Sequence, residues 1–163
     1  MDAPSLYETD ILEWSEQQAA VLRAVAARAD RPNGLDFENV VEEIEAVGRG
    51  QLRAVESHIR LILEHLAKLA SAPDSPAAGH WLAQILNWRA ELEATISPSM
   101  HQRVDLDRWW RKALEVADAR LAANGHALLP GLPDACPILL PDLVASRFDI
   151  PTAVARIRAA AGD

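Results

Sequence analysis

The run DFENVVEEIEAVGRGQLRAVESHIRLILEHLAKLA, Asp36 to Ala70, contains no proline and carries its apolar residues at helical intervals. Val40/Val41, Ile44, Val47/Gly48, Leu52, Val55, Ile59, Ile62, Leu66 and Leu69 recur three or four residues apart, which lines them up as one stripe of an α-helix. Asp36 stands where a helix N-cap belongs, its side-chain oxygen able to accept from the free amides of the first turn. At 1.5 Å per residue such a helix is about 50 Å long, the spine of a domain. Gly48 and Gly50 lie inside it, and each lowers helix stability by about 1 kcal/mol relative to alanine. The smooth lane Val47, Gly50, Ala54, Ser57 is therefore expected to receive a crossing helix.

Shorter helical patterns flank this run. Ser15-Glu16-Gln17-Gln18 has the form of a capping box, followed by Ala19, Leu22, Val25, Ala26 and Ala29 at helical spacing. Residues 5–14 read as a turn or two of helix before it, and Asp30-Arg31-Pro32-Asn33-Gly34 ends the pattern. Ser75-Pro76 opens a third helix, with Trp81, Ile85, Trp88, Leu92 and Ile96 on one face. Ser97-Pro98 opens a fourth segment that Asp105 restarts, with Leu106, Trp109/Trp110, Ala113, Ala117 and Leu121 as its stripe and Gly125 just past its end. From Leu128 onward Pro130, Pro133, Pro137, Pro141 and Pro151 break the chain, leaving short turns and one small helix at 141–146. The fold class is all-α: an antiparallel, four-helix bundle-like domain with one long spine and a proline-rich C-terminal cap. Residues 1–150 form the single domain and 151–163 a C-terminal tail.

Composition agrees with helix. Half of the 163 residues are hydrophobic, yet only one Tyr and two Phe are present, which starves strands of the residues they favour. The net charge of −8 is uneven: residues 1–74 hold 14 acidic and 7 basic side chains, whereas residues 75–163 hold 10 and 9. So acidic a surface repels phosphate backbones, which argues against nucleic acid and favours a basic partner for the N-terminal half. The single cysteine, Cys136, has no internal disulfide partner. The first residues lack the basic flank and apolar core of a signal peptide, and no run reaches the roughly 18 apolar residues of a membrane span. The expected location is the cytoplasm, with no membrane contact.

The segment Asp36-Phe37-Glu38-Asn39-Val40-Val41-Glu42-Glu43-Ile44-Glu45-Ala46-Val47-Gly48-Arg49 resembles the central signature of a bacterial family known as domain of unknown function twenty-nine. Tyr7-Glu8-Thr9-Asp10 with Trp14, Leu63-Glu64-His65-Leu66-Ala67-Lys68, Ser97-Pro98-Ser99 and Pro133-Asp134-Ala135-Cys136-Pro137 extend the likeness, in order, from Tyr7 to about Phe148. The resemblance implies a mainly helical fold. It carries over no activity.

Candidate chemistry is sparse. Glu38, Glu42 and Glu45 continue through Arg49, Arg53, Glu56, Arg60 and Glu64 along one helical face, the pattern of a solvated surface laced with pairs such as Glu45–Arg49 and Arg60–Glu64. Glu43 aligns instead with Val40, Val47 and Gly50, so it is expected to be partly buried and in need of a donor. Neither Glu-x-x-His nor His-Glu-x-x-His occurs, and His58 and His65, seven residues apart, rise about 10 Å from one another, too far to share an ion. In an antiparallel bundle His65, His80 and His126 fall at one end, a conceivable three-histidine metal site. Cys136 reads as a small buried hydrophobe, and no phosphate-binding glycine loop is present. Of the tryptophans, Trp109 and Trp110 sit about 100° apart on their helix and need a broad cover. The functional expectation is a non-enzymatic protein-interaction or regulatory module, without cofactor or metal, acting on a protein partner or a second copy of itself. The alternative is a metal-binding protein or metal-dependent hydrolase at His65, His80 and His126.

Overall fold

A computed structural model describes residues 4–162, and all secondary structure among them is helical. The α-helices are α1 (Leu6–Thr9), α2 (Ile11–Ala26), α3 (Phe37–Ser71), α4 (Ala78–Thr95), α5 (Leu106–Ala122), α6 (Leu140–Val144) and α7 (Ile150–Ala160), with a 3₁₀ helix at Pro98–Gln102 before α5. The four long helices expected from the sequence are α2 to α5, and α3 is the 35-residue spine. Two compact units share the chain: Met1–Val55 with Thr95–Arg103, and Glu56–Ala94 with Val104–Asp163.

In the first unit, α2 begins earlier than its apparent capping box. Asp10 is the N-cap, accepting from the Glu13 amide at 3.1 Å. Ser15 lies on the buried face with Leu12 and Ala19, and its hydroxyl donates back to the Leu12 carbonyl at 2.8 Å. A capping arrangement does exist one helix earlier, where the Glu8 carboxylate accepts from the Ser5 amide at 2.8 Å. The start of α3 is as expected, with Asp36 accepting from the Asn39 amide at 3.2 Å.

The close approach on α3 occurs at Gly48, not at Gly50. A Cβ on Gly48 would stand 2.1 Å from Ser15 Oγ and 3.2 Å from Leu12 Cα, whereas one on Gly50 would meet nothing within 4 Å. Val47 is 48% exposed, so the smooth lane faces outward and α2 seats one residue further round the helix. The apolar stripe allowed both placements; Leu12 and Ser15, which need a partner without a side chain, select Gly48.

In the second unit every residue from Ile62 to Ala70 is buried, so the last part of α3 is enclosed on all sides. Trp81, Ile85, Arg89 and Leu92 form the buried face of α4. Arg89 is held there by donating from Nε to the Leu143 carbonyl at 3.0 Å and from Nη2 to the Ala145 carbonyl at 2.6 Å, which satisfies the open end of α6. Asp105 caps α5, and Trp110, Ala113, Ala117 and Leu121 line its inner face. Trp110 is fully buried and donates to the Pro133 carbonyl at 2.8 Å, so the proline-rich segment closes over Trp110, while Trp109 stays half-buried. Gly125, with φ of 75°, lets the chain turn away after α5.

The residues set apart as a tail belong largely to α7. Asp149 caps it through the Thr152 amide at 3.1 Å, Pro151 occupies its first turn, and Ile150, Ala153 and Ile157 are buried. Asp149-Ile150-Pro151 is a helix-start signal like Ser75-Pro76; among so many prolines it reads as one more break.

Candidate functional site

Glu64, expected on a solvated face, is completely buried, and it organises the polar cluster of the second unit. Its Oε1 accepts from Arg120 Nη1 at 2.6 Å and from Lys68 Nζ at 3.4 Å, while Oε2 faces Arg60 Nη1 at 3.3 Å. Lys68, also buried, reaches His65 Nε2 at 2.9 Å and sits 5.0 Å from the Trp81 ring centroid. His65 meets Trp88 edge-on with centroids 4.7 Å apart. Since the ammonium has only protons to offer, His65 Nε2 accepts and its Nδ1 carries the hydrogen donated to the Leu61 carbonyl at 3.0 Å.

Burial pushes the His65 imidazole down to about 4; the Lys68 charge adds to this, the Leu61 hydrogen bond opposes it, and Arg120 and His80 contribute further lowering. Burial likewise lowers Lys68, with the Glu64 carboxylate pulling it back. One buried carboxylate therefore draws together three cations from α3 and α5, of which Lys68 is buried while Arg120 reaches the solvent. Each member already has a partner within the fold.

The histidine triad does not assemble as a ligand set. His80 is exposed, His126 is half-buried, and no group of three His, Cys, Asp or Glu close enough to hold a metal ion occurs among the described residues. The lone pair that His65 would offer a metal is occupied by Lys68, whose charge repels a cation.

Glu38, Glu42, Glu43 and Glu45 are separated by the geometry of α3. Glu43 is exposed, so its expected burial is corrected: it shares the outward lane with Val47 and Gly50. Glu45 pairs with Arg23 at 2.8 Å and with Arg49 at 3.5 Å, and Glu42 also pairs with Arg49. Cys136 is not an activated thiol: burial pushes it up to about 12, with the Ile138 backbone opposing and Asp107 adding to the rise. Its amide donates to Asp107 at 2.8 Å.

Sequence reasoning missed a second buried carboxylate, in the first unit. Asp10 accepts from the Ser97 hydroxyl at 2.8 Å, the Ser99 amide at 2.7 Å and the Ser99 hydroxyl at 2.6 Å, besides capping α2. Burial raises its carboxyl, but the bonds from Ser99, Glu13 and Ser97 outweigh that and hold it below its ordinary value. The signal lay in the motif pieces themselves, since Tyr7–Asp10 and Ser97–Ser99 meet here. The same unit carries an open groove of about 650 Å³ at the α2–α3 junction, lined by Leu35, Phe37 and Val41 and edged by Glu38, Glu42, Arg23 and Arg31 among others.

The family model for Domain of unknown function DUF29 matches residues 6–149. The chain belongs to this family. It is similar to a crystal structure described as an alpha-helical protein of unknown function from Rhodospirillum rubrum, at 35% identity and a TM-score of 0.87, covering 96% of this chain and 99% of that one. No curated protein matches it. Among the described residues no helix is long and apolar enough to cross a membrane.

Proposed function

We propose that this protein is a docking module: the groove at the α2–α3 junction takes a segment of another protein, and the chain performs no chemistry on it. One contrast carries this reading. Four of the five sequence pieces typical of the family serve the chain's own interior. Tyr7–Asp10 and Ser97–Ser99 satisfy the Asp10 carboxylate, Leu63–Lys68 supplies the Glu64 cluster, and Pro133–Pro137 accepts from Trp110 and anchors to Asp107. The fifth, from Asp36 to Arg49, fills only part of its potential inward, and its first turns border open space.

Groove chemistry narrows the partner. Leu35, Phe37 and Val41 offer an apolar floor. Arg23 and Arg31 already spend their guanidinium groups, on Glu45 at 2.8 Å and on the Ala26 carbonyl at 3.0 Å. Glu38 has no ion-pair partner among the described residues, and the surrounding half of the chain is strongly acidic. A peptide segment with a basic side chain between aliphatic ones complements such a groove.

A photo-crosslinking residue placed at Leu35 in the living host tests this. The expected result is one dominant protein adduct, whose crosslinked segment carries Lys or Arg between aliphatic residues, and which disappears when Glu38→Lys is added. No adduct, or an adduct indifferent to Glu38→Lys, overturns the proposal.

A further inference from the structure

The outer face of α4 is apolar where a solvated helix would be charged. At 100° per residue Gly79, Leu82, Ala83, Leu86, Ala90 and Glu93 fall within an arc of about 100°, and all six are exposed. Leu82 and Leu86 stand adjacent at i and i+4, 42% and 53% exposed, and no charged side chain interrupts this face before Glu93.

We infer that this face pairs with the same face of a second copy of the chain, as an antiparallel helix pair about a two-fold axis at Leu86. The register is self-complementary. On such an axis Leu86 meets Leu86, Leu82 meets Ala90, and Glu93 meets Gly79, because each pair of residue numbers is symmetric about 86. The charge pattern fits as well as the shape. No acidic residue lies in the first turn of α4, so its free amides and positive end lack a charged complement within their own helix. Glu93 has no ion-pair partner among the described residues, and the two-fold axis brings it to that end of the partner's helix, twice over. Gly79 leaves room for it, since a Cβ there would meet nothing within 4 Å. Ala83 and Ala90 let the two helices approach closely around the leucine ridge.

The face is about 20 Å long from Gly79 to Glu93. A single helix pair of this length stays below the roughly 1,200 Å² at which stable interfaces begin. The dimer is accordingly a weak one that depends on protein concentration. This inference concerns α4 alone and does not depend on the groove.

Sedimentation velocity of the full chain across the micromolar range tests it, with far-UV circular dichroism to verify folding. Wild type should shift from monomer to dimer with concentration. Leu86→Asp should weaken association by more than about tenfold, as loss of a central anchor does, and Glu93→Lys should weaken it at low salt more than at high salt. In a Cys136→Ser background, Leu86→Cys should oxidise to a disulfide-linked dimer, while Leu139→Cys, at a still more exposed position elsewhere, should not. A wild type that stays monomeric throughout overturns the inference. So does a dimer indifferent to Leu86→Asp, which would be built on another face.

Discussion

Two glycines two residues apart on α3 should respond oppositely to the same substitution. In Gly48→Ala the new methyl would lie 2.1 Å from Ser15 Oγ, 3.1 Å from Leu12 Cδ1 and 3.2 Å from Leu12 Cα. Ser15 can rotate away only by giving up its bond to the Leu12 carbonyl, a loss of about 1 kcal/mol. The Leu12 backbone must also retreat by a few tenths of an ångström, and overpacking of this kind costs about 1–3 kcal/mol. Against this stands a helix-propensity gain of about 1 kcal/mol. The net is a destabilisation of about 1–3 kcal/mol. Gly50→Ala has open space around it and keeps the whole propensity gain, so it should stabilise by up to about 1 kcal/mol. Urea denaturation with unchanged slopes would read both as shifts in midpoint, downward for Gly48→Ala and upward for Gly50→Ala. Adding Ser15→Ala to Gly48→Ala removes the shortest contact and should recover part of the loss. Equal shifts in one direction would show that α2 does not seat on Gly48.

The Glu64 cluster and the acid limb of stability supply further tests. Glu64→Gln leaves the buried Lys68 without its counter-charge, while Arg120, with its side chain 55% exposed, can turn to water; a loss of about 3 kcal/mol is expected by thermal or urea unfolding. Lys68→Met in the same chain should return part of it. For His65 the folded pKa of about 4 lies below the unfolded value of 6.5, so only the unfolded chain takes up a proton between them. Its contribution is intact above 6.5 and is lost as pH falls toward 4, at up to about 1.4 kcal/mol per pH unit. His65→Gln should flatten that part of the stability–pH curve, and an unchanged slope would refute the assignment.

Periodicity and capping chemistry made the long helices legible. Asp36, Asp105 and Gly125 act where their residue types suggest, and the apolar stripe of α5 is its buried face. Residues with two uses were not legible. Ser15 has the spacing of a cap but is needed against Gly48, and Pro151 starts α7, as Pro141 starts α6, in a region whose prolines at 130, 133 and 137 lie outside any helix. Glu64 continues a surface charge pattern by number; only the convergence of α5 and α4 on the last turns of α3 closes it from water. Asp10 was hidden for the same reason, since its serine partners lie almost ninety residues away. The groove emerges from the α2–α3 turn and could not be inferred from composition, although the excess acidity of residues 1–74 pointed to a basic ligand.

The docking proposal is tested most directly by letting the groove choose its own ligand. A displayed library of random peptides is selected on the purified full chain, in parallel with selections on Glu38→Lys and Leu35→Asp, both of which alter exposed positions. Wild type should enrich peptides with Lys or Arg flanked by aliphatic residues, and both variants should lose that enrichment while keeping the helical spectrum. Enrichment of no common pattern, or of the same pattern by all three proteins, would contradict the groove as the docking site.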